Sequence, residues 1–174
     1  MQRSPRARFL TPDQQANADL DRALPLMRGQ TCSQPTTVRN LLRLLDVRPG
    51  QRVLDVGSGS GWTTALLASL VGDEGQVLGL ELEPDLVEFG SRNLAATEQP
   101  QASIRQAEPG VLGAPAEGPW DRILVSAMAG ELPASLVAQL APDGVLVIPV
   151  GGELLRVTDA GAEGHGPYLF VPLR

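Results

Sequence analysis

Residues 51–62 read QRVLDVGSGSGW, and this stretch decides the fold class. Val53, Leu54 and Val56 form a short apolar run typical of a buried strand, and glycines follow at every second position. The next residues, WTTALLASLVG, are apolar on most sides, which indicates a buried helix. A strand, a glycine-rich turn and a helix in this order predict the start of a βαβ unit. In such units the turn after the strand is the usual place for a ligand.

The sequence on both sides continues this alternation of strands and helices. An amphipathic helix is predicted from Thr36 onward, because Val38, Leu41, Leu42 and Leu45 share one helical face. Later strands are predicted at QVLGLEL, ASIRQ, DRILVSA, GVLVIPV, ELLRVT and YLFVPL, and later helices from Pro84 to about Ala95 and at LPASLVAQL. The predicted fold is therefore α/β, doubly wound and Rossmann-like, with a mainly parallel sheet and antiparallel C-terminal strands.

Length and composition set the organisation of the chain. The 174 residues predict a single domain, 1–174, in which 1–28 form an irregular N-terminal segment. No apolar run approaches 18 residues, so no membrane span is expected. The first ten residues, MQRSPRARFL, lack the apolar block of a secretory signal, and Cys32 is the only cysteine. A cytoplasmic location is the expectation.

The charge pattern argues against nucleic acid as a partner. The net charge is −6, and all fourteen basic residues are arginines, scattered along the chain. An acidic chain without a basic stripe is a poor ligand for a phosphate backbone. The one local cluster, Arg3, Arg6 and Arg8, is predicted to be a solvated arm.

The glycine loop has the spacing of a site for S-adenosylmethionine (AdoMet). A dinucleotide fingerprint would require glycine or alanine at Trp62, where an indole would obstruct close packing of strand and helix. The observed pattern is G-x-G-x-G from Gly57 to Gly61, preceded by the acid Asp55. The second strand ends in Glu81, whose carboxylate can accept hydrogen bonds from both hydroxyls of a ribose. A tight turn without a ligand remains the alternative for this loop.

Several stretches together resemble the protein-L-isoaspartate O-methyltransferases, which are class I, AdoMet-dependent enzymes. The similarity runs from about Pro5 to Leu173, and the combination of Q-T-x-S-x-P with V-I-P-V-G and F-V-P-L is its most specific part. The similar stretches are LPLMRGQTCSQPTTV, RPGQRVLDVGSGSGW, LGLELEPDLVE, PWDRILVSAMAGELPASLVAQLAPDGVLVIPVG and FVPL.

The resemblance implies roles for individual residues. By position, Ser33 matches the active-site serine of the family. The residues expected to bind AdoMet are Gln30, Thr31 and Cys32 at its methionine end, Asp55, Gly57, Ser58 and Gly59 in the loop, Glu81 and Leu82 at the ribose, and Glu108 near the adenine. No metal ligand is expected. The implied substrates are isoaspartyl-containing peptides or proteins.

The chain departs from the family pattern at three places. QAEPG, which contains Glu108, replaces the usual G-D-G, and Cys32 replaces the usual isoleucine. Leu169 stands where the family often has arginine before F-V-P-L. An arginine there could grip a peptide carboxylate, whereas a leucine cannot.

The expected chemistry needs little from the protein beyond alignment. Methyl transfer from a sulfonium is an in-line displacement, and a carboxylate acceptor is already ionised at neutral pH, so no general base is required. If Pro35 opens the following helix, Gln34 becomes the N-cap, and the Ser33 hydroxyl is left to orient the acceptor. The alternative is that Ser33 itself caps the helix.

Three functions are consistent with the sequence. The first is a methyltransferase that methylates isoaspartyl carboxylates in damaged proteins, after which the ester closes to a succinimide and partly reopens as normal aspartate. The second applies the same cofactor to another acceptor, such as a small acid or a biosynthetic peptide. The third is an AdoMet-binding or partner-binding module without catalysis, which only the altered QAEPG segment supports.

Overall fold

A computed structural model describes residues 4–174 of the protein. The strands of this part of the chain are β1 (Leu24–Pro25), β2 (Thr31–Cys32), β3 (Arg52–Val56), β4 (Gln76–Glu81), β5 (Ala102–Gln106), β6 (Trp120–Val125), β7 (Leu140–Val150), β8 (Glu153–Thr158) and β9 (Gly161–Pro167). The α-helices are α1 (Pro35–Leu45), α2 (Trp62–Val71), α3 (Pro84–Ala95) and α4 (Ala134–Val137).

Seven strands form one sheet in the order β5-β4-β3-β6-β7-β8-β9. Strands β3 to β7 pair in parallel, whereas β8 pairs antiparallel with both β7 and β9. The predicted fold class is confirmed. The direction of winding reverses between β3 and β6, and ligands of open α/β sheets bind at the carboxyl ends of the strands at such a reversal.

Alternating side chains of the strands build a core on each face of the sheet. Val53 packs with Leu41 and Leu67 from the helices on one face, while Leu54 packs with Trp120 and other residues on the opposite face. All five are buried. Burial of a large apolar side chain stabilises the fold by about 1.5–3 kcal/mol, so these two layers hold the carboxyl edge in place.

The N-terminal segment is more ordered than the sequence predicted. Within the described part of residues 1–28, single turns of 3-10 helix occur at Arg6–Phe9 and Gln15–Asn17, followed by β1. Phe9, Leu10 and Leu24 are buried in a third cluster with Trp62 of α2. The predicted solvated arm is wrong for Arg6, whose side chain is buried, while Arg3 lies outside the described residues.

The C-terminal strands differ from the prediction in position. The last strand is β9, drawn from the Gly-rich stretch GAEGHGP, and not from YLFVPL. A short turn pairs Thr158 with Gly161, so the chain forms a hairpin immediately after β8. The apolar residues that follow instead cross the end of β6: Met128 N donates to the Val171 carbonyl at 2.7 Å, and Leu173 N donates to the Met128 carbonyl at 2.8 Å.

The helix predicted at LPASLVAQL is also shorter than expected, since α4 spans only Ala134–Val137 and β7 begins at Leu140. Within residues 4–174, no helix combines the length and the apolar character needed to traverse a lipid bilayer.

Candidate active site

A cavity of about 890 Å³ opens at the carboxyl edge of the sheet, beside the reversal between β3 and β6. This volume is in the range of pockets that hold cofactors and small molecules. Much of the wall comes from the carboxyl ends of four strands: residues 56–60 at β3, 80–82 at β4, 107–113 at β5 and 126–127 at β6. The rest comes from residues 30–34 and 37 around the start of α1, from residues 169–174, and from Ala23, Trp62 and Thr63.

The glycine loop forms part of this wall in the conformation that its sequence requires. Gly57, Gly59 and Gly61 have φ values of 80°, 53° and 85°, a region that other residues rarely adopt. A side chain at Gly61 would also place its Cβ 2.9 Å from the Gly90 carbonyl oxygen. Glycine therefore lets the start of α2 approach α3 closely, which is the packing role that Trp62 cannot perform.

Glu81 connects the end of β4 to the glycine loop. Its Oε2 accepts a hydrogen bond from Gly59 N at 2.9 Å, and its Oε1 accepts from Leu82 N at 2.7 Å and Glu83 N at 3.0 Å. Each carboxylate oxygen has two lone-pair sites, so Oε2 keeps capacity for a ligand donor. Because Glu81 also lines the cavity, its carboxylate both orders the loop and faces the site.

Asp55 has a different role from the one predicted, because it is fully buried and lies outside the cavity lining. Its Oδ2 accepts a hydrogen bond from Thr64 Oγ1 at 2.7 Å, and its Oδ1 has no partner within the described residues. Burial raises the pKa of Asp55 to about 7, against the opposing hydrogen bond from Thr64, and the Glu81 carboxylate adds to the rise. Asp55 thus lies behind the cavity wall and connects the end of β3 to Thr64 of α2.

The remaining loop residue with an unmet hydrogen bond is Ser58. Its amide donates to the Leu80 carbonyl at 3.0 Å, but its hydroxyl oxygen is buried and has no partner within residues 4–174. This buried oxygen is not part of the cavity surface, although other atoms of Ser58 line the wall. The group that this region offers to a polar cofactor with hydroxyl groups is therefore the Glu81 carboxylate.

Ser33 faces the cavity from the segment before α1. The helix begins at Pro35 with Gln34 as its N-cap, as predicted for a serine that is not used as the cap. The capping contact comes from elsewhere: Asp21 Oδ1 accepts a hydrogen bond from Thr36 N at 2.8 Å. Within the described residues the Ser33 hydroxyl has no hydrogen-bond partner among the protein groups, so it is available to a ligand.

The residues before Ser33 line the same cavity. Gln30, Thr31 and Cys32 all contribute to the wall, and β2 pairs Cys32 with Leu24 of β1. Burial raises the pKa of the Cys32 thiol, while Arg6 and Ser60 oppose that rise. A buried thiol of raised pKa is a packing group, not a nucleophile.

Another part of the cavity wall is formed by the connections after β4 and β5. Leu82 and Glu108 both line it, and both are exposed. The Ala107 amide donates to the backbone carbonyl of Glu81 at 2.8 Å, which holds the segment before Glu108 beside the end of β4.

The C-terminal residues close one side of the mouth. Leu169 lines the cavity and is 94% exposed, so its side chain is presented to solvent at the entrance. Two ion pairs connect the flanking segments to the start of α3: Arg174 Nη2 lies 2.7 Å from Glu83 Oε1, and Arg28 Nε donates to Asp85 at 2.7 Å. Residues 28 and 174 are thus both connected to the start of α3.

The family to which the chain belongs follows from its sequence taken as a whole. A model of the protein-L-isoaspartate(D-aspartate) O-methyltransferase family matches residues 1–164. The chain belongs to the protein-L-isoaspartate O-methyltransferase family. A relative of that name from Methanopyrus kandleri is 41% identical over 182 residues, which cover 99% of this chain and 80% of the relative. Another from Anaeromyxobacter dehalogenans is 44% identical over 179 residues, covering 97% and 84%.

Solved structures agree with this membership of the isoaspartate methyltransferase family. A chain from Plasmodium falciparum, described as a protein-L-isoaspartate O-methyltransferase in complex with S-adenosyl-L-homocysteine, matches with a TM-score of 0.88 and 29% identity. The match covers 99% of this chain and 87% of that one. A second structure described as protein-L-isoaspartate O-methyltransferase has a TM-score of 0.84 at 24% identity, which supports the fold alone.

Most of the sequence-predicted site residues of this methyltransferase line one cavity; Asp55 is the exception. Sequence reasoning missed Ser126 and Ala127, which also line the cavity. The signal for them was available, because they follow β6 and the carboxyl end of a strand at the reversal must adjoin the site. Within residues 4–174, no cluster of three or more His, Cys, Asp or Glu side chains is arranged to hold a metal ion.

Proposed function

We propose that this protein is an AdoMet-dependent O-methyltransferase that methylates the carboxylate of L-isoaspartyl residues in damaged proteins. The observation that carries the proposal is that Ser33 and Glu81, matched to the family by sequence, lie on the wall of one cavity at the reversal of the sheet. The ester so formed can close to a succinimide and reopen in part as normal aspartate, which makes the reaction a repair.

The donor end of the cavity is suited to the nucleoside of AdoMet. Glu81 is proposed to accept hydrogen bonds from the ribose hydroxyls, with Leu82 beside the ribose and Glu108 near the adenine. Gly57, Ser58 and Gly59 leave space for the cofactor to approach the loop closely, since a Cβ at Gly59 would meet no atom within 4 Å. Gln30, Thr31 and Cys32 are proposed to line the methionine end. When bound, AdoMet supplies an electrophilic methyl group on a positively charged sulfur.

The acceptor end is suited to an anionic oxygen. The Ser33 hydroxyl can donate a hydrogen bond to the incoming carboxylate and hold one of its oxygens toward the methyl group. No proton has to be removed, because a carboxylate is ionised at neutral pH. The protein contributes alignment and exclusion of water, and such positioning can lower a barrier by roughly 7–11 kcal/mol.

The same proposal extends to organisation and location. Residues 1–174 are proposed to act as a single methyltransferase unit, because the N-terminal and C-terminal segments both contribute to the cavity wall. A cytoplasmic location is proposed from the single, unpaired Cys32.

The test is methyl transfer to two synthetic peptides that differ only in the linkage of one residue, isoaspartyl in one and normal aspartyl in the other. The proposal expects transfer from labelled AdoMet to the isoaspartyl peptide and little to its twin. Equal transfer to both peptides, or transfer to neither while AdoMet binds, would contradict it.

One observation favours the second acceptor class. Leu169 presents an exposed apolar side chain at the cavity mouth, where the family often has arginine. If neither peptide is methylated, a panel of small carboxylic acids assayed with the same labelled donor decides whether this enzyme uses a different carboxylate.

A further inference from the structure

The residue that most directly holds the Ser33 segment in place lies far away in sequence. Arg6 is only 6% exposed, and its guanidinium donates hydrogen bonds to five backbone carbonyls. Two of these carbonyls belong to the cavity wall: Arg6 Nη2 lies 3.1 Å from Cys32 O and 2.9 Å from Ser33 O. The other acceptors are Ala18 O at 3.3 Å, Leu20 O at 2.9 Å and Arg22 O at 2.7 Å.

These hydrogen bonds join residues 18–22 to residues 32–33, and no strand pairing connects those two segments. The guanidinium bridges residues 18–22 to residues 32–33, so the backbone of Ser33 is tied to the N-terminal segment. Arg6 is also packed against α2, because its guanidinium carbon lies 5.4 Å from the centre of the Trp62 ring, directly after the glycine loop. A rigid guanidinium fork fixes several acceptors at once, which a lysine ammonium cannot reproduce.

A second contact holds the same segment from its other side. Asp21 accepts hydrogen bonds from Thr36 N and Thr36 Oγ1, each at 2.8 Å, and from Gln34 Nε2 at 3.2 Å. The Ser33 carbonyl is therefore held by Arg6, and the start of α1 just after it is held by Asp21. Its own hydroxyl takes no part in either contact.

We propose that Arg6 is a positioning residue for methyl transfer: its buried guanidinium fixes the carbonyls of Cys32 and Ser33, and so holds the Ser33 hydroxyl at the methyl end of the cavity. Asp21 completes this clamp from the helix side. The inference rests on the proposed function of Ser33. It gives a role in turnover to the N-terminal segment, which the sequence predicted to be irregular.

The absence of a carboxylate partner separates this role from an ordinary structural ion pair. Among residues 4–174, every hydrogen-bond acceptor of Arg6 is a backbone carbonyl, and no carboxylate lies within ion-pair distance of its guanidinium. The two terminal nitrogens of Arg6 thus bond only to the backbone, and its Nε is buried without a partner among these residues. Small displacements of a reacting group of about 1 Å can lower turnover by roughly 100-fold.

The decisive variant is Arg6→Lys, compared with Arg8→Lys as a matched control. Arg8 belongs to the same 3-10 turn but is exposed and makes no side-chain hydrogen bond within the described residues. The measurements are AdoMet affinity by calorimetry, kcat and KM for the isoaspartyl peptide, and thermal unfolding by circular dichroism. We expect Arg6→Lys to bind AdoMet nearly as well as the unmodified protein, with kcat lower by roughly 100-fold at saturating substrates. Arg8→Lys should leave both unchanged.

A folded Arg6→Lys protein with a lowered Tm but normal kcat would overturn the proposal and leave Arg6 a purely structural residue. If Arg6→Lys does not fold, Asp21→Asn tests the same clamp from its exposed side: kcat should fall while AdoMet affinity holds, and an unchanged kcat would count against the proposal. Failure of the function itself looks different, since the unmodified protein and Arg8→Lys would then also leave the isoaspartyl peptide unmethylated.

Discussion

At the level of single residues, Ser33 and Glu81 have different proposed functions, although both line one cavity. The hydroxyl is assigned to the acceptor and the carboxylate to the donor. Ser33 precedes α1 and Glu81 ends β4. Because they lie in different elements, each side chain can be substituted separately.

Replacing Ser33 with alanine should therefore separate binding from turnover. The Ser33 hydroxyl makes no contact that supports α1, so Ser33→Ala should fold and bind AdoMet normally. Loss of the hydrogen bond that orients the acceptor should lower kcat by roughly 100-fold. Calorimetry with AdoMet and steady-state kinetics with the isoaspartyl peptide measure the two effects. Ser103→Ala, at an exposed position of β5, is the control, and full turnover by Ser33→Ala would remove the serine from the mechanism.

Asp55 should make the stability of the ligand-free protein depend on pH. Its pKa is raised by burial to about 7 from an ordinary value of 3.8, so its ionisation opposes folding. The contribution is fully favourable at pH below about 4 and is lost as pH rises through about 7. Asp55→Asn removes this titration and keeps an oxygen for Thr64 Oγ1.

The expected result is that Asp55→Asn gains in Tm relative to the unmodified protein as pH increases from 5 to 8. Thermal unfolding of both proteins across that range measures the difference. A difference in Tm that stays constant over the range would show that Asp55 does not titrate there.

At the level of secondary-structure elements, the end of β4 connects the glycine loop to the proposed donor site. Glu81 accepts hydrogen bonds from three amides in two connections: Gly59 after β3, and Leu82 and Glu83 after β4. The same carboxylate faces the cavity. Order in the glycine loop and affinity for the ribose should therefore depend on one side chain.

Glu81→Gln should weaken AdoMet binding by about 10- to 100-fold, since hydrogen bonds to a charged group are worth about 1.5–3 kcal/mol. At saturating AdoMet, kcat should change much less, because the acceptor end is intact. Glu88→Gln, at a position of α3 whose side chain is 73% exposed, provides the matched control. Affinity measured by calorimetry that is equal in the two variants would remove Glu81 from the donor site.

Elements with a characteristic hydrophobic period were predictable, whereas β9, which is held by pairing with the neighbouring strand β8, was not. The run before the glycine loop and the apolar face of α1 place β3 and α1 because buried strands and amphipathic helices have characteristic periods. The stretch GAEGHGP contains five exposed residues and little strand propensity, yet it becomes β9 by pairing with β8. Tertiary pairing overrides propensity at such an edge.

The candidate site divides in the same way. Gly57, Ser33 and Glu81 could be found because motif spacing identifies them and strand ends bring them together. Arg6 could not be found from its neighbours, because an arginine near a chain end is ordinarily solvated. Only its five carbonyl acceptors, which come from two separate segments, reveal its position.

At the scale of the whole molecule, the methyltransferase fold places both flanking segments at one opening. Residues 23 and 30–34 line the cavity on one side and 169–174 on another, and ion pairs join Arg28 and Arg174 to Asp85 and Glu83 at the start of α3. We propose that the strand ends supply the wall for the nucleoside of the donor, and that the N-terminal segment supplies the wall for its methionine end and for the acceptor. This placement of donor and acceptor in one cavity is the central claim.

A crystal structure of the protein with S-adenosyl-L-homocysteine tests that claim most directly. The account predicts that the ribose hydroxyls lie within hydrogen-bond distance of Glu81 and that the sulfur points toward the Ser33 segment, with Arg6 still bound to the Cys32 and Ser33 carbonyls. A ligand bound elsewhere, or one bound in this cavity with its sulfur directed away from Ser33, would contradict it.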